Sequence, residues 1–330
     1  MQKKIFSVIF ICLFIFVACS QDEPAIKVDL DKKEQVSLKE EADVITYACL
    51  PQYSHRVSYQ RHYKKLTKFH CCDCITHRVS YQRHHPLVEF LRKETGFNIK
   101  QIFPDTFNQH MTMVGQGKID ISYSNPFIYI KIAHRYGAGA FARIAEIYNQ
   151  ENFRGQIICQ ADNRLIKTVG DCRGKSWLSV DSTSGGSYLF PLGHFIDHGI
   201  QKTDFSEIAF APGPGGKQEK VVLAVYAGKY DVGTIRKGTL NVVADKIDIN
   251  EIRVIANTRW YPGWIYAARA GLEPKVVEKI GKALLKLDFN QKEHQHILEA
   301  ADFIGVIPSD DQDFNPVREL AARVSISLEK

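Results

Sequence analysis

Residues 176–199 constrain the fold of this chain more than any other stretch. Trp177-Leu-Ser-Val180 is short, apolar and bounded by Gly174 and Asp181, the pattern of a buried central strand. From Tyr188 the period changes: Leu189, Leu192 and Phe195 or Ile196 share one helical face, and Gly199 ends the run. A buried strand passing straight into a helix is the repeating unit of α/β proteins. Between the two lie Ser182, Thr183, Ser184, Gly185 and Gly186. The first turn of a helix has backbone N–H groups without helical partners, and the aligned peptide dipoles make that end positive. Small hydroxyls add donors there, and glycine lets a ligand approach the backbone. Such a junction holds a tetrahedral oxyanion without lysines. The same residues would also serve as a plain Ser/Thr helix cap.

The alternation continues along the chain. Strands are expected at 44–50, 98–103 and 118–122, interleaved with helices at 86–95, 107–116 and 126–136, the last stopped by Gly137. A second unit opens with a strand at 155–160. It continues through the 176–180 strand, a strand at 207–210, a helix at 217–227, and strands at 230–234 and 252–256. The end is helical, at 274–287, 291–300 and 315–324. The expected architecture is α/β with largely parallel sheets.

The N-terminus bears on compartment. Lys3 and Lys4 precede an apolar run over 5–18, shorter than the roughly 20 residues that cross a bilayer, so it reads as a signal segment. Ala18 directly before Cys19 is the pattern of a bacterial lipoprotein, with Cys19 lipidated after cleavage of 1–18. Residues 19–42 then form a polar tether. Of the net charge of +6, Lys3 and Lys4 supply two. Segment 55–76 holds Arg56, Arg61, Lys64, Lys65 and Lys68 against Asp73, which leaves the remainder of the mature chain neutral. Charge therefore gives no support to a nucleic-acid partner. Cys49 and Cys159 sit in apolar strand-like runs and are expected to be buried and inert.

One feature is out of pattern. His55-Arg-Val-Ser-Tyr-Gln-Arg-His62 recurs identically at 77–84. The flanks do not match, so this is a local insertion with partial duplication over 55–76 and not a solenoid. The insertion contains His70, Cys71, Cys72 and Cys74, whose density suits zinc but whose spacing does not. A disordered or disulfide-linked loop is the expectation, with no metal and no cofactor.

Four segments together resemble the phosphate/phosphite/phosphonate-binding lipoproteins of bacterial ABC transporters. They are Leu50-Pro-Gln-Tyr-Ser54, resumed at Ser80-Tyr-Gln-Arg-His-His-Pro-Leu87; Asp120-Ile-Ser-Tyr-Ser-Asn-Pro-Phe-Ile-Tyr129; Gly174-Lys-Ser-Trp-Leu-Ser-Val-Asp-Ser-Thr-Ser-Gly-Gly186 with Phe190-Pro-Leu192; and Lys220-Val-Val-Leu-Ala-Val-Tyr-Ala-Gly-Lys-Tyr-Asp-Val-Gly233. The resemblance implies a two-lobed type II periplasmic-binding-protein fold, each lobe a mainly parallel sheet flanked by helices, with the ligand cleft between them. Lobe 1 would span 43–152, lobe 2 153–257, and 258–330 would return to lobe 1. The ligand oxyanion would sit on Ser182, Thr183, Ser184 and Gly185, closed over by Tyr53, Tyr123, Ser124 and Asn125, with Gln218 and Arg236 also facing it. Relatives that take amino-phosphonates place carboxylates in the cleft. Here Thr234-Ile-Arg-Lys-Gly238 and Tyr261-Pro-Gly-Trp264 contain no acid, which argues against an ammonium-bearing ligand and for phosphate, phosphite or a simple phosphonate. The implied partners are a permease and an ATPase, with the chain a lipid-anchored monomer on the periplasmic face of a membrane or on the cell surface.

Two other classes compete. A ligand sensor feeding a membrane signalling partner would use the same clamp. A phosphoester-processing enzyme would want a G-x-S-x-G elbow or clustered metal carboxylates near the loop, and the sequence offers neither.

Overall fold

The computed structural model describes residues 44–50, 72–146, 151–213 and 217–329. In chain order β1 (Ile45–Cys49) leads to α1 (Cys72–Thr95), β2 (Ile99–Ile102), α2 (Phe107–Gly115), β3 (Ile121–Ser124), α3 (Pro126–Tyr136) and β4 (Gly139–Ala145). The short β5 (Asn152–Phe153) precedes β6 (Gly155–Gln160), β7 (Ser176–Ser179), a π-helical turn (Gly185–Leu189) continuing as α4 (Phe190–Asp197), and β8 (Glu207–Phe210). Then come α5 (Lys217–Tyr226), β9 (Val232–Arg236), α6 (Thr239–Val243), β10 (Ile252–Asn257), β11 (Tyr261–Pro262) and β12 (Ile265–Ala268). The chain closes with α7 (Pro274–Leu285), α8 (Lys292–Ala301), β13 (Gly305–Pro308) and α9 (Asn315–Arg323).

Two sheets result. The first has the order β13-β4-β12-β3-β1-β2, and the second β10-β6-β9-β7-β8. Neither is mainly parallel. In the first sheet β1 pairs in parallel with β2 and β3, whereas β12 and β13 pair antiparallel with their neighbours. In the second, β7 is parallel to β8 and β9, whereas β6 is antiparallel to β9 and β10. The expectation of parallel sheets fails for two reasons. In the second sheet the strands are those expected, and it is the reversed direction of β6 that the pattern does not show. In the first, the antiparallel pairs come from strands at 139–145, 265–268 and 305–308 that the pattern does not mark. Each of these last three contains Ala or Gly, and each finds its partner far away in the chain, where local pattern gives no help.

The chain passes between the sheets twice, once over β5 and once over β11, and these two segments pair antiparallel with Tyr261 opposite Phe153. The ring of Phe190 stacks on Tyr261 with centroids 4.1 Å apart, which ties the start of α4 to this ribbon. Helices α7 and α8 pack on α1, as expected of a C-terminal return to the first sheet, but α9 packs on both α3 and α4.

Helix α1 departs from expectation at its start. Proline favours the first turn of a helix, so Pro86 was read as a beginning, yet it lies inside α1. An interior proline costs about 3 kcal/mol. Buried contacts upstream offset it. Arg83 Nη2 donates to Ala301 O at 3.3 Å and sits 3.5 Å from Asp302 Oδ2, and His84 Nδ1 lies 2.9 Å from the Tyr47 hydroxyl. Arg83 and His84 end the second copy of the repeated octapeptide, so the end of that copy is part of the core; the first copy lies outside the described residues. The last residues of the insertion, from Cys72, are helical and not loop. Cys49 and Cys159 are buried in β1 and β6 as expected, and Cys172 is buried as well. Among the described residues no helix is long and apolar enough to cross a membrane.

Candidate functional site

The strand-to-helix junction at 180–189 has the geometry the sequence suggested, with one refinement. Ser184 is the cap: its backbone is extended and its Oγ accepts from Ser187 N at 3.3 Å. Its carbonyl accepts from both Tyr188 N (3.1 Å) and Leu189 N (3.0 Å), and the wider second bond makes the first turn π-helical. The helix therefore begins at Gly185, three residues before the Tyr188 start read from periodicity. Thr183, Ser184, Gly185 and Gly186 are buried, while Ser182 is exposed at the mouth of the loop.

Asp181 organises this loop. Its Oδ1 accepts from Thr183 N (3.0 Å) and Thr183 Oγ1 (2.7 Å), and its Oδ2 accepts from Lys217 Nζ (3.0 Å). Burial alone would raise the Asp181 carboxyl, but the Thr183 and Lys217 contacts outweigh it and hold it below the usual range. Lys131, buried on α3, also lies within the field of Asp181. Burial pushes its ammonium down to about 8, helped by Arg135 and opposed by Asp181.

Ser187 anchors the turn from beneath. Its Oγ donates to Thr234 O (2.5 Å) and accepts from Val180 N (3.1 Å), and its carbonyl accepts from Ser179 Oγ (2.7 Å) and Thr234 Oγ1 (2.5 Å). The indole of Trp177 completes the set by donating to Thr234 Oγ1 at 2.7 Å.

A second helix start meets the first. Asn125 caps α3, its Oδ1 accepting from Phe127 N (2.9 Å) and Ile128 N (3.1 Å), with Pro126 in the first turn. A Cβ on Gly185 would lie 3.4 Å from that same Oδ1 and 3.6 Å from Phe127 Cβ, and one on Gly186 would be 2.7 Å from the Phe153 ring. Two positive helix ends from different sheets thus converge at the hydroxyl loop, and glycine is what allows the approach.

The remaining expected residues divide. Tyr123 is buried on β3, with ring centroids 5.1 Å from His84, 5.2 Å from Trp264 and 4.9 Å from Tyr266. Its hydroxyl is pushed up by burial and by nearby Glu146, with Arg236 and Arg83 opposing. Ser124 is fully buried and its Oγ has no hydrogen-bond partner. Gln218 Oε1 accepts from Arg236 N at 2.9 Å, which fixes the end of β9. Arg236 is buried; its Nη2 donates to Glu146 Oε2, and its guanidinium lies 5.4 Å from the Phe153 ring centroid. Tyr53, Cys19, His70 and Cys71 lie outside the described residues, as do the side chains of Cys72 and Cys74. Among the described residues no group of three or more His, Cys, Asp or Glu could hold a metal.

Stretches 234–238 and 261–264 contain no acid, but Glu146, from elsewhere in the chain, brings one to the same region. It follows β4, is buried, and lies against the Pro-Gly turn: a Cβ on Gly263 would be 3.4 Å from its Cγ and its Oε1. No sequence signal near 146 marks it, because its neighbours come from residues 236 and 264. Lys131 and Ser187 escape for the same reason, their partners Asp181 and Thr234 lying some fifty residues on.

Residues 74–314 match the family model described as the periplasmic substrate-binding protein of phosphonate ABC transporters. The chain belongs to this family. Among curated relatives of the phosphonate-binding family, the phosphate-import protein PhnD of Mycolicibacterium smegmatis is 24% identical over 254 residues, covering 71% of this chain and 78% of that one. PhnD1 of Prochlorococcus marinus, solved with methylphosphonate, superposes with a TM-score of 0.68 at 15% identity, covering 86% and 98% of the two chains. A binding-protein component of a Pseudomonas aeruginosa phosphonate transporter gives 0.67 at 16%, covering 86% and 87%. This likeness shows the shared two-lobed α/β fold. The family assignment makes the chain an extracytoplasmic substrate-binding component of an ABC transporter for phosphonate-class ligands.

Proposed function

We propose that this protein captures a phosphorus oxyanion on the loop 182–185, between the two sheets, and hands it to an ABC importer while anchored to the membrane through a lipid on Cys19. The convergence of the Ser184-capped and Asn125-capped helix starts at Gly185 carries the reading. Ser182, Thr183 and Ser184 supply hydroxyls, the first-turn amides supply N–H donors, and both helix dipoles favour negative charge. Tyr53, Tyr123, Ser124 and Asn125 belong to the opposing lobe in this reading. Gln218 acts indirectly, by fixing the backbone of Arg236. Because Glu146 places an acid at the Pro-Gly turn, amino-phosphonates rejoin phosphate, phosphite and simple phosphonates as candidate ligands.

A charge-assisted hydrogen bond contributes roughly 1.5–3 kcal/mol. Several such bonds, less the cost of immobilising a small ligand, reach the roughly 8 kcal/mol of a micromolar complex. Calorimetry with phosphate, phosphite, methylphosphonate and aminoethylphosphonate tests the reading. At least one should bind, and Ser182→Ala with Ser184→Ala should weaken it by about tenfold or more. Unchanged affinity in a normally melting double variant removes the loop from the site.

A further inference from the structure

The buried ion pair of Glu146 and Arg236 is incomplete on one side. Glu146 is 4% exposed; its Oε2 takes the Arg236 guanidinium, and its Oε1 is buried and makes no hydrogen bond, the Trp264 N–H of the Pro-Gly turn being the one backbone donor that bears on the carboxylate. A carboxylate oxygen in that state bears its full desolvation cost. Its position is close to the proposed site. Arg236 lies over the Phe153 ring, and that ring abuts Gly186 of the loop. Tyr123, within the field of Glu146, is two residues from Asn125, which touches Gly185. The charged groups facing Glu146 are Arg236 at the end of β9 and Asp302 after α8. The Tyr123 hydroxyl of β3 also faces it, and Arg83 of α1 balances Asp302. Two acids and two arginines leave this floor without net charge, so it offers a tetrahedral anion no general attraction.

Resting on the oxyanion reading above, we propose that Glu146 selects for phosphorus oxyanions that carry a proton: its free Oε1 accepts a hydrogen bond from the ligand P–OH, and the cleft rejects isosteric anions without that hydrogen. A site built to accept from a ligand O–H discriminates strongly against an analogue lacking it, because the analogue leaves the acceptor buried and faces it with like charge. Methylphosphonate monoanion and methanesulfonate provide the comparison. They share charge, methyl group and tetrahedral shape, and differ in one O–H.

By calorimetry near pH 6, wild-type protein should prefer methylphosphonate over methanesulfonate by about a hundredfold or more. In Glu146→Gln the amide offers an N–H in place of the lone acceptor, and the preference should fall below about tenfold. A variant that keeps the wild-type preference, or a wild type that binds both anions equally, overturns the inference while leaving the oxyanion reading intact. A wild type that binds neither anion, nor any of the four phosphorus ligands above, overturns both. If the variant does not fold, the wild type still decides. Burial raises the Glu146 carboxyl, with Arg236 opposing, and sulfonate can enter only with a proton taken up on it, so sulfonate affinity should rise as pH is lowered below neutrality while that of the methylphosphonate monoanion does not. His84, held down to about 3 by burial and then by Arg83, remains neutral over this range. A sulfonate affinity independent of pH counts against the role of Glu146.

Discussion

Adjacent serines in the 179–187 run have different tasks, and the structure separates them. Ser182 is exposed and makes no contact that holds the fold, whereas Ser187 satisfies two buried backbone groups at once. Removing the Ser187 hydroxyl leaves the Val180 N–H and the Thr234 carbonyl without that partner, each a cost of about 1–3 kcal/mol. Ser187→Ala should therefore lower the urea midpoint by the equivalent of about 2–4 kcal/mol, and Ser182→Ala by less than about 0.5 kcal/mol. Equal midpoints for the two variants would show that the contacts of Ser187 do not support the fold. The sequence revealed the loop because hydroxyls, glycines, strand and helix all lie within some twenty consecutive residues. It could not reveal that Ser187 belongs to the scaffold, since its partner Thr234 is 47 residues away. Glu146 escaped for the same reason.

Elements were legible in proportion to how local their causes are. Helix α3 runs from Pro126 to Tyr136, as capping by Asn125 and termination at Gly137 (φ 67°) dictate. Strands β6 and β8 have the bounds their apolar runs implied. Strand β12, Ile-Tyr-Ala-Ala, is buried on both faces and too short for any period to show. The junction of β6 with the π-turn is a point of close contact. A Cβ on Gly155 would collide with the Gly186 carbonyl and press on Pro191. Gly155→Ala should destabilise the protein by about 2 kcal/mol or more and reduce oxyanion affinity, because only a shift of the Gly186 backbone relieves the clash. Thermal melts and calorimetry on one preparation check both, and a variant with wild-type values would mean the turn yields freely. At α1, the buried contacts of Arg83 and His84 come from the second octapeptide copy. Deleting residues 55–76 keeps that copy and removes only the first turn of α1, from Cys72, so circular dichroism should lose no more than that turn and the melting temperature should match that of the parent protein or slightly exceed it. A large loss of helix would show that the inserted residues carry part of the fold.

At the scale of the whole molecule, two buried histidines link stability to acidity. His84 and His110 are both driven from 6.5 to about 3, His84 by burial and then Arg83, His110 by burial. Above pH 6.5 they are neutral folded or unfolded and add no pH dependence. Between 6.5 and 3 the unfolded chain takes up two protons that the folded one refuses. Stability then falls as pH falls, by about 2.7 kcal/mol per unit for the pair. Urea titrations across that range should show this slope, and His110→Gln should halve it. A second prediction concerns shape. A ligand gripped by residues of both sheets favours the closed arrangement over the open one, so saturating phosphorus oxyanion should reduce the radius of gyration in small-angle scattering. An unchanged radius argues that the sheets do not move.

The strand order of the first sheet also governs how the chain can fold as it is made. Strand β12 lies between β3 and β4, and β13 completes the edge beyond β4. Every strand of the second sheet precedes β11 in the chain. A nascent chain can therefore finish the second sheet while β3 and β4 still wait for the strand that joins them. Throughout that interval both present open hydrogen-bonding edges, which recruit other chains when they meet them. The C-terminal quarter thus acts as the closing seam of the first sheet. Chains that stop short of Ile265 should accumulate as aggregates with a folded second sheet, and not as a smaller soluble version of the whole.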